Sequence, residues 1–146
     1  MTAPTCFSKD HYASGQPTAT HLAELARQGV RTVINLRTSD EPVEYDEPAL
    51  AAQLGLDYVS LPIAGAADLD FARVRGFGLA LDQARRKGGV LIHCASSNRV
   101  GAMVALDLAL NRGGSLQAAL ARGRAAGLGT LEPAVVALVN TAAPKP

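Results

Sequence analysis

The part of the sequence best suited to chemistry is a cysteine followed five positions later by an arginine. Cys94 comes directly after the apolar run 90–93, and Arg99 stands where a helical segment begins. A turn from a strand into a helix gathers backbone N–H groups and the positive helix end, which together favour a thiolate over a thiol. A thiolate attacks phosphorus or sulfur, and a guanidinium binds two oxygens of an anion. The spacing therefore predicts Cys94 as the nucleophile and Arg99 as the oxyanion clamp.

The residues around this pair form a small polar turn. Small side chains allow a tight turn whose backbone N–H groups face an anion. We expect a substrate oxyanion to be bound by Ala95, Ser96, Ser97, Asn98 and Val100. We expect His93 to support the loop by a hydrogen bond to the backbone rather than to act as a base. A buried, inert thiol is the usual alternative for a free cysteine, but the strand, turn, arginine and helix together favour a functional Cys94.

Strands that alternate with helices position these residues. Short apolar runs rich in β-branched residues predict strands, and apolar residues at helical spacing predict helices. The predicted strands are 31–37, 56–63 and 90–93, and the predicted helices are 18–28, 46–54, 68–87, 100–111, 115–126 and 132–140. Such alternation is typical of an α/β fold with a mostly parallel sheet flanked by helices. Ligands of such sheets bind beyond the carboxyl ends of the strands, which is where Cys94 lies.

Two charged residues follow the first predicted strand and should reach the same edge of the sheet. They are Arg37 and Glu41. We expect their side chains at the mouth of the site. The alternative is a surface ion pair, which contributes little to stability.

Length and composition describe one ordinary globular domain. The 146 residues are predicted to form a single domain over 1–146, with a core at about 7–141 and mobile tails. The net charge of +1 and the aromatic content of 4% disfavour nucleic-acid binding by bulk charge or by base stacking. No apolar stretch approaches the length of a membrane span, and we see no secretory signal.

The chain contains two cysteines, Cys6 and Cys94. Without a secretory signal we expect free thiols in a reducing cytoplasm, with Cys6 incidental in a mobile N-terminus. No cluster of His, Cys, Asp and Glu has the spacing of a metal site, so we expect neither a metal nor a cofactor. The expected partner is a small substrate that carries a phosphate, sulfate or thiosulfate-like group.

The His-Cys…Arg turn resembles the phosphate-binding loop of the protein tyrosine and dual-specificity phosphatases. Over a longer span, the chain resembles the bacterial phosphatase-like family found as one domain of beta-lactamase-hydrolase-like proteins. The similar segments are 14–18 (SGQPT), 32–37 (TVINLR) followed by Glu41, 56–63 (LDYVSLPI) and the loop itself. The resemblance implies a cysteine-phosphatase fold, with Cys94 as nucleophile and Arg99 as clamp. It also implies an aspartic general acid near Gly65, and Asp68 lies slightly later in the chain.

Some features differ from the phosphatase pattern. Four residues rather than five separate Cys94 from Arg99, a length shared with many rhodaneses, which transfer sulfur through a cysteine persulfide. Val100 stands where the phosphatases usually have Ser or Thr. Asp68 is also explained as the N-cap of the following helix, with Asp70 in its first turn.

The sequence leaves three functions open. Hydrolysis of phosphate monoesters through a cysteinyl-phosphate is favoured because of the wider resemblance. The loop length favours a rhodanese-type sulfurtransferase that uses thiosulfate or a persulfide. A module that binds anions or phosphoproteins through a retired active site is the third alternative. The intact Cys94 and Arg99 count against it, because binding alone needs no thiolate.

Overall fold

The computed structural model describes residues 4–142, which fold as an α/β domain. The strands are β1 (Thr5–Ser8), β2 (His11–Ser14), β3 (Val30–Asn35), β4 (Asp57–Ser60) and β5 (Gly89–His93). The α-helices are α1 (Ala19–Arg27), α2 (Glu47–Gln53), α3 (Phe71–Arg85), α4 (Asn98–Leu106), α5 (Leu116–Ala125) and α6 (Glu132–Ala142). A 3₁₀ turn at Ala66–Asp68 precedes α3, and a π-helical segment at Asp107–Asn111 continues α4. Of the tails predicted to be mobile, 1–3 and 143–146 lie outside the described residues.

The strands form one mixed sheet in the order β1-β2-β5-β3-β4. β2, β5, β3 and β4 run parallel to one another, and β1 pairs antiparallel with β2. The predicted α/β fold with a mostly parallel sheet is therefore confirmed. β5, which leads into Cys94, lies in the middle of the sheet and is buried along its whole length. A central parallel strand is covered on both faces, which explains its uninterrupted apolar sequence.

β1 and β2 are not among the elements that the sequence predicts. Cys6 lies in β1 and is exposed, so the residues from Thr5 onward form a strand that the sequence did not predict. Both strands have four residues and include polar ones, so no apolar run marks them. They are ordered by pairing, β1 with β2 and β2 with the central β5, which is a tertiary effect.

Side-chain caps decide where the helices begin. Thr18 caps α1, because its hydroxyl oxygen accepts from the His21 N–H at 3.0 Å. Asp70, not Asp68, caps α3, because its carboxylate accepts from the Arg73 N–H at 2.8 Å. The interpretation of Asp68 as the N-cap is therefore wrong. It ends the 3₁₀ turn that comes before the helix.

Helices cover both faces of the sheet. α3, α4, α5 and α6 enclose the larger core, which includes Val90, Ile92 and Cys94. α1 and α2 enclose a smaller core that includes Leu91. Because side chains alternate along a strand, His93 faces the same side as Leu91, toward α2. No helix within 4–142 is long and apolar enough to cross a membrane.

Candidate active site

Four connecting segments meet at the carboxyl edge of the sheet. The last residues of the parallel strands lie in register: Ser14 is opposite His93, His93 is opposite Asn35, and Asn35 is opposite Ser60. The chain that leaves each strand therefore enters the same region. The segments after β2, β3 and β4 all approach the cysteine loop, by which we mean residues 94–99.

The cysteine loop rests against the segment that follows β2. The Cys94 N–H donates to the Ser14 carbonyl at 3.1 Å, and Ser96 forms a β-bridge with Gly15. A Cβ on Gly15 would lie 2.3 Å from the Ala95 carbonyl oxygen, so the absence of a side chain allows this approach. Cys94 itself is buried.

The loop enters α4 through a left-handed residue. Ser97 has a φ of 72°, which residues other than glycine seldom adopt. Its hydroxyl donates to the Ala126 carbonyl at 2.6 Å. Asn98 accepts from the Gly129 N–H at 2.8 Å and donates to the Thr130 hydroxyl at 2.7 Å. The connection between α5 and α6 thus holds the turn in shape.

These contacts determine what the loop offers an anion. The side chains of Ser97 and Asn98 have partners within the protein, and the side chain of Val100 is buried in the core. Ser97 and Val100 can therefore contribute to an oxyanion site only through their backbone N–H groups, whereas Asn98 also keeps one amide hydrogen. The first N–H groups of a helix lack partners within it and lie at its positive end, an arrangement that binds phosphate.

Arg99 is held beside Cys94 by a carboxylate from the segment after β3. Its Nη1 donates to Oε2 and its Nη2 to Oε1 of Glu41, each at 2.7 Å, and Nη1 also donates to the Ile63 carbonyl at 2.8 Å. The hydrogen bonds to Glu41 raise the pKa of Arg99, and the neighbouring Cys94 adds to this effect. Glu41 and the Ile63 carbonyl thus orient the guanidinium.

Glu41 is in turn held by its own segment. Its Oε2 accepts from the Thr38 N–H at 2.7 Å and from the Thr38 hydroxyl at 3.0 Å. Hydrogen bonds from Arg99, and then from Thr38, lower the pKa of Glu41 against the opposing effect of burial. Glu41 is therefore an ionised carboxylate that orients Arg99, a more specific role than the predicted place at the mouth.

Arg37 lies behind Glu41 rather than at the mouth. Its side chain is 9% exposed, and its Nε lies 3.3 Å from Oε1 of Glu41. Its Nη1 donates to the side chain of Gln16, and its Nη2 donates to the Pro42 carbonyl at 2.7 Å. Each of its three nitrogens thus has a partner in the protein, and Arg37 supports Glu41 instead of facing a ligand.

His93 bonds to a carboxylate and not to the backbone. Its Nε2 lies 2.5 Å from Oε2 of Glu47, the first residue of α2, and both side chains are buried. Because a carboxylate only accepts, Nε2 is the donor. Nδ1 has no hydrogen-bond partner in the described part of the chain. The predicted backbone hydrogen bond is therefore wrong, since the ring faces α2. Sequence reasoning missed Glu47 because an acidic residue in a first helical turn is explained by the helix dipole alone.

Asp68 is turned toward its own segment. Its Oδ2 accepts from the Ala64 N–H at 2.8 Å, and its Oδ1 lies 3.6 Å from a guanidinium nitrogen of Arg73. Asp70 caps α3 and pairs with Arg73. The hydrogen bonds of these two carboxylates within 4–142 thus go to their own segment, and the role of Asp68 as general acid stays a prediction.

A cavity of about 390 Å³ opens beside the cysteine loop. Its walls come from the loop, from the strand ends of β1 and β2, and from the end of α5 with the residues that follow it. The lining includes Gly15, Ala95, Ser96, Ser97, Arg124 and Gly127. The volume falls in the range of sites for small organic molecules.

A family model described as "DSP-PTPase phosphatase fused to NAD+ Kinase" matches residues 8–133. The match covers the sheet from β2 to β5 and the whole cysteine loop. The chain belongs to this DSP-PTPase family. The resemblance to bacterial phosphatase-like proteins that the sequence indicates is therefore confirmed.

Curated relatives of this DSP-PTPase domain are bacterial. The Beta-lactamase hydrolase-like protein of Xylella fastidiosa (strain Temecula1) is 36% identical over 98 residues, which is 64% of this chain and 22% of that protein. The dual specificity protein phosphatase TpbA of Pseudomonas aeruginosa (strain UCBPP-PA14) is 34% identical over 119 residues, 81% of this chain and 51% of TpbA. The chain thus spans about a fifth of the first relative and half of the second.

Solved structures share the fold of this DSP-PTPase domain. A crystal structure of P. aeruginosa TpbA, a cysteine-to-serine variant in complex with pTyr, is similar with a TM-score of 0.74 at 28% identity, over 94% of this chain and 82% of that one. A DUF442 protein from Shewanella putrefaciens CN-32 is similar with a TM-score of 0.73 at 25% identity, over 95% and 87%. Both comparisons support the phosphatase fold that the sequence predicts.

Proposed function

We propose that this DSP-PTPase domain hydrolyses phosphate monoesters through a cysteinyl-phosphate on Cys94. The observation that carries the proposal is the guanidinium of Arg99, held by Glu41 beside Cys94. Together with the N–H groups at the start of α4, it forms a set of donors oriented in advance. Such donors stabilise the charge that develops on the oxygens of a phosphoryl group in the transition state.

In the first step, the Cys94 thiolate attacks phosphorus and forms an S–P bond. The bond from phosphorus to the ester oxygen breaks, and its electron pair goes to the leaving oxygen. That oxygen takes a proton from the carboxylic acid of Asp68. Arg99 and the backbone N–H groups of the loop hold the three non-bridging oxygens throughout this step.

In the second step, water attacks phosphorus and the S–P bond breaks. The Asp68 carboxylate accepts a proton from the water, which restores the acid and the Cys94 thiolate and releases inorganic phosphate. In both steps Asp68 must give up its hydrogen bond with the Ala64 N–H. The segment 64–68, between the buried Ile63 and Leu69, would move to bring it over the loop, as mobile acid-bearing loops do in other enzymes.

An aryl phosphate such as a phosphotyrosyl side chain is the substrate class that we propose. The related TpbA structure is a complex with pTyr. Phenolate is also a better leaving group than an alkoxide, which reduces the demand on the general acid.

The first test is hydrolysis of an activated aryl phosphate by the native protein, Cys94→Ser and Cys6→Ser. We expect Cys94→Ser to lose activity by at least about 10³-fold. Cys6→Ser, on the exposed edge strand β1, is the matched control and should keep it. After rapid acid quenching, mass spectrometry should find one phosphoryl group on Cys94. Full activity in Cys94→Ser would overturn the proposal.

A second arm separates hydrolysis from sulfur transfer. The same preparations are given thiosulfate with cyanide, and thiocyanate is measured. We expect phosphate release to be much faster than thiocyanate formation. Cys94-dependent thiocyanate formation faster than phosphate release would identify a sulfurtransferase instead. Tight phosphate binding with turnover in neither arm would identify a binding module.

A further inference from the structure

The side chain of Gln16 lies between a group that only donates and a group that only accepts. Nη1 of Arg37 donates to its Oε1, and its Nε2 donates to Oε1 of Glu47 at 2.9 Å. A guanidinium has no acceptor and a carboxylate has no donor. The two neighbours therefore determine which way the amide of Gln16 points.

Each neighbour of Gln16 leads to a different end of the cysteine loop. On one side, the other oxygen of Glu47 lies 2.5 Å from Nε2 of His93, the residue before Cys94. On the other side, Nε of Arg37 lies 3.3 Å from Glu41, which binds Arg99. A continuous path of side-chain contacts therefore runs through His93, Glu47, Gln16, Arg37, Glu41 and Arg99.

We infer that Gln16 is a positioning residue that couples the orientation of Arg99 to the His93 end of the cysteine loop. The inference deepens the proposed function, since it concerns the same cysteine and the same clamp. Gln16 touches neither a reacting atom nor the substrate in this scheme. It acts by keeping the His93–Glu47 contact and the Arg37–Glu41 ion pair at a defined distance from each other.

The burial of the path indicates that its geometry is closely defined. His93 is 0% exposed, Glu47 is 3% exposed and Arg37 is 9% exposed. A buried charge without a partner is costly, so the Glu47 carboxylate and the Arg37 guanidinium strongly resist the loss of their neighbours. Removing the amide of Gln16 would leave Arg37 and Glu47 each short of one hydrogen bond. Both would then be expected to reorient and to carry Glu41 and His93 with them.

The chemistry of the position requires an amide. A carboxylate at position 16 would still accept from Arg37, but it would face the carboxylate of Glu47. A cationic side chain would repel Arg37. Only a side chain with one donor and one acceptor satisfies both neighbours, and glutamine also has the length to reach them.

The backbone beside Gln16 touches the same loop. The Ser14 carbonyl accepts from the Cys94 N–H at 3.1 Å, and Gly15 packs against Ala95. On the other side, the Tyr45 hydroxyl donates to the Pro17 carbonyl at 2.6 Å. The segment 14–17 is therefore fixed at both ends, so it can hold the amide of Gln16 in one place.

The test is an exchange of charge and amide between two positions. Gln16→Glu alone opposes two carboxylates. Glu47→Gln alone replaces the charged acceptor shared by Gln16 and His93 with a neutral amide, whose NH₂ group must face one of these two donors. The double variant Gln16→Glu/Glu47→Gln restores one donor and one acceptor at each contact, with almost no change in volume or charge. We expect each single variant to lower kcat about tenfold or more, with little change in KM, because hydrogen bonds to charged groups are lost. The double variant should recover most of that loss.

A second readout does not depend on phosphatase turnover. Cys94 is alkylated with iodoacetate, whose carboxylate Arg99 attracts, and with neutral iodoacetamide. The ratio of the two rates reports the position of the guanidinium. We expect the single variants to lower this ratio severalfold and the double variant to restore it. A purely structural role would lower the melting temperature and change both rates alike.

Two further variants complete the design. Gln16→Asn keeps the amide on a shorter side chain and should lower the ratio of the two alkylation rates less than Gln16→Glu does. It replaces Gln16→Glu if that variant does not fold. Gln53→Glu, on the exposed face of α2, is the control for an added carboxylate. The inference is overturned if Gln16→Glu keeps both kcat and the ratio within about twofold of the native values, since independent sites add within that margin. It also fails if the double variant loses as much as the two singles combined.

The outcomes separate this inference from the proposed function. If the native protein hydrolyses no phosphate ester, the alkylation ratio still tests the coupling. If the native protein is an active phosphatase and substitutions of Gln16 change neither kcat nor the ratio of the alkylation rates, only the coupling is disproved.

Discussion

Glu41 and Arg99 are 58 positions apart in the chain, yet they meet through two hydrogen bonds of 2.7 Å. They leave the neighbouring strands β3 and β5 at the same edge of the sheet. The carboxylate holds the planar guanidinium in one orientation, so the conformational entropy of a long side chain is lost on folding and not on substrate binding. The pair thus converts a flexible cation into a fixed set of donors beside Cys94.

Replacing Glu41 should weaken the clamp without removing it. Glu41→Gln deletes one charge-assisted acceptor and leaves a donor facing Arg99, so we expect kcat on an aryl phosphate to fall about 10- to 100-fold. Steady-state kinetics measure this, with Glu44→Gln on the exposed part of the same segment as the control. Equal kcat values for the two variants would show that Arg99 needs no support.

The contribution of Glu41 to stability should depend on pH. Its pKa is lowered in the folded protein from an ordinary value of 4.5, first by the hydrogen bonds from Arg99. When folding lowers the pKa of a carboxyl group, that group stabilises the folded protein fully at pH values above its pKa in the unfolded chain. The stabilisation is lost as the pH falls toward and through its pKa in the folded protein. Denaturant titrations should therefore find that the free energy of unfolding of the native protein exceeds that of Glu41→Gln by the largest amount near neutral pH. The difference should shrink steadily below pH 4.5; a constant difference would contradict the assignment.

Gly15 should tolerate no side chain. A Cβ there would lie 2.3 Å from the Ala95 carbonyl oxygen, so Gly15→Ala must push the cysteine loop outward. We expect a loss of activity of at least about 100-fold, since small displacements of catalytic groups have such effects. Gly76→Ala is the control, because a Cβ on that residue of α3 meets open space. Activity near the native level in Gly15→Ala would mean that the loop is not held against this segment.

Gly101 allows α4 to pack closely on the chain after α5. A Cβ there would lie 2.1 Å from the Leu128 nitrogen and 2.7 Å from the Gly123 carbonyl oxygen. We expect Gly101→Ala to lower the free energy of unfolding by about 3 kcal/mol, the upper end of what overpacking usually costs. Gly76→Ala should instead raise it by about 0.5–1 kcal/mol. Thermal and denaturant unfolding measure both, and similar effects of the two substitutions would argue against the close contact.

The proposed acid role of Asp68 predicts a dependence on the leaving group. Asp68→Asn should lower kcat about 10²–10⁴-fold on an alkyl phosphate, and far less on an activated aryl phosphate that leaves without protonation. Asp70→Asn is the matched control, because asparagine also caps helices well and α3 should form as before. An equal loss on both substrates would assign Asp68 a structural role, such as its hydrogen bond with Ala64.

Local patterns were enough to predict the centre of the fold. The run 90–93 is apolar because β5 is covered on both faces. The polar residues that follow mark the end of this buried strand. Helix starts were less predictable, because Asp68 and Asp70 are equally good caps by residue type and only the 3₁₀ turn separates them. β1 and β2 could not be predicted from their composition. They are ordered by pairing, β1 with β2 and β2 with β5.

The sequence by itself determined the candidate pair, Cys94 and Arg99, and the α/β alternation that brings the pair to a strand end. These follow from residue chemistry and from periodicity within short segments. Only the tertiary structure decided that Glu41 orients Arg99, that Glu47 holds His93 and that Gln16 stands between the two pairs. Those partners are distant in the chain and meet because the parallel strands end in register, a relationship that no local pattern encodes.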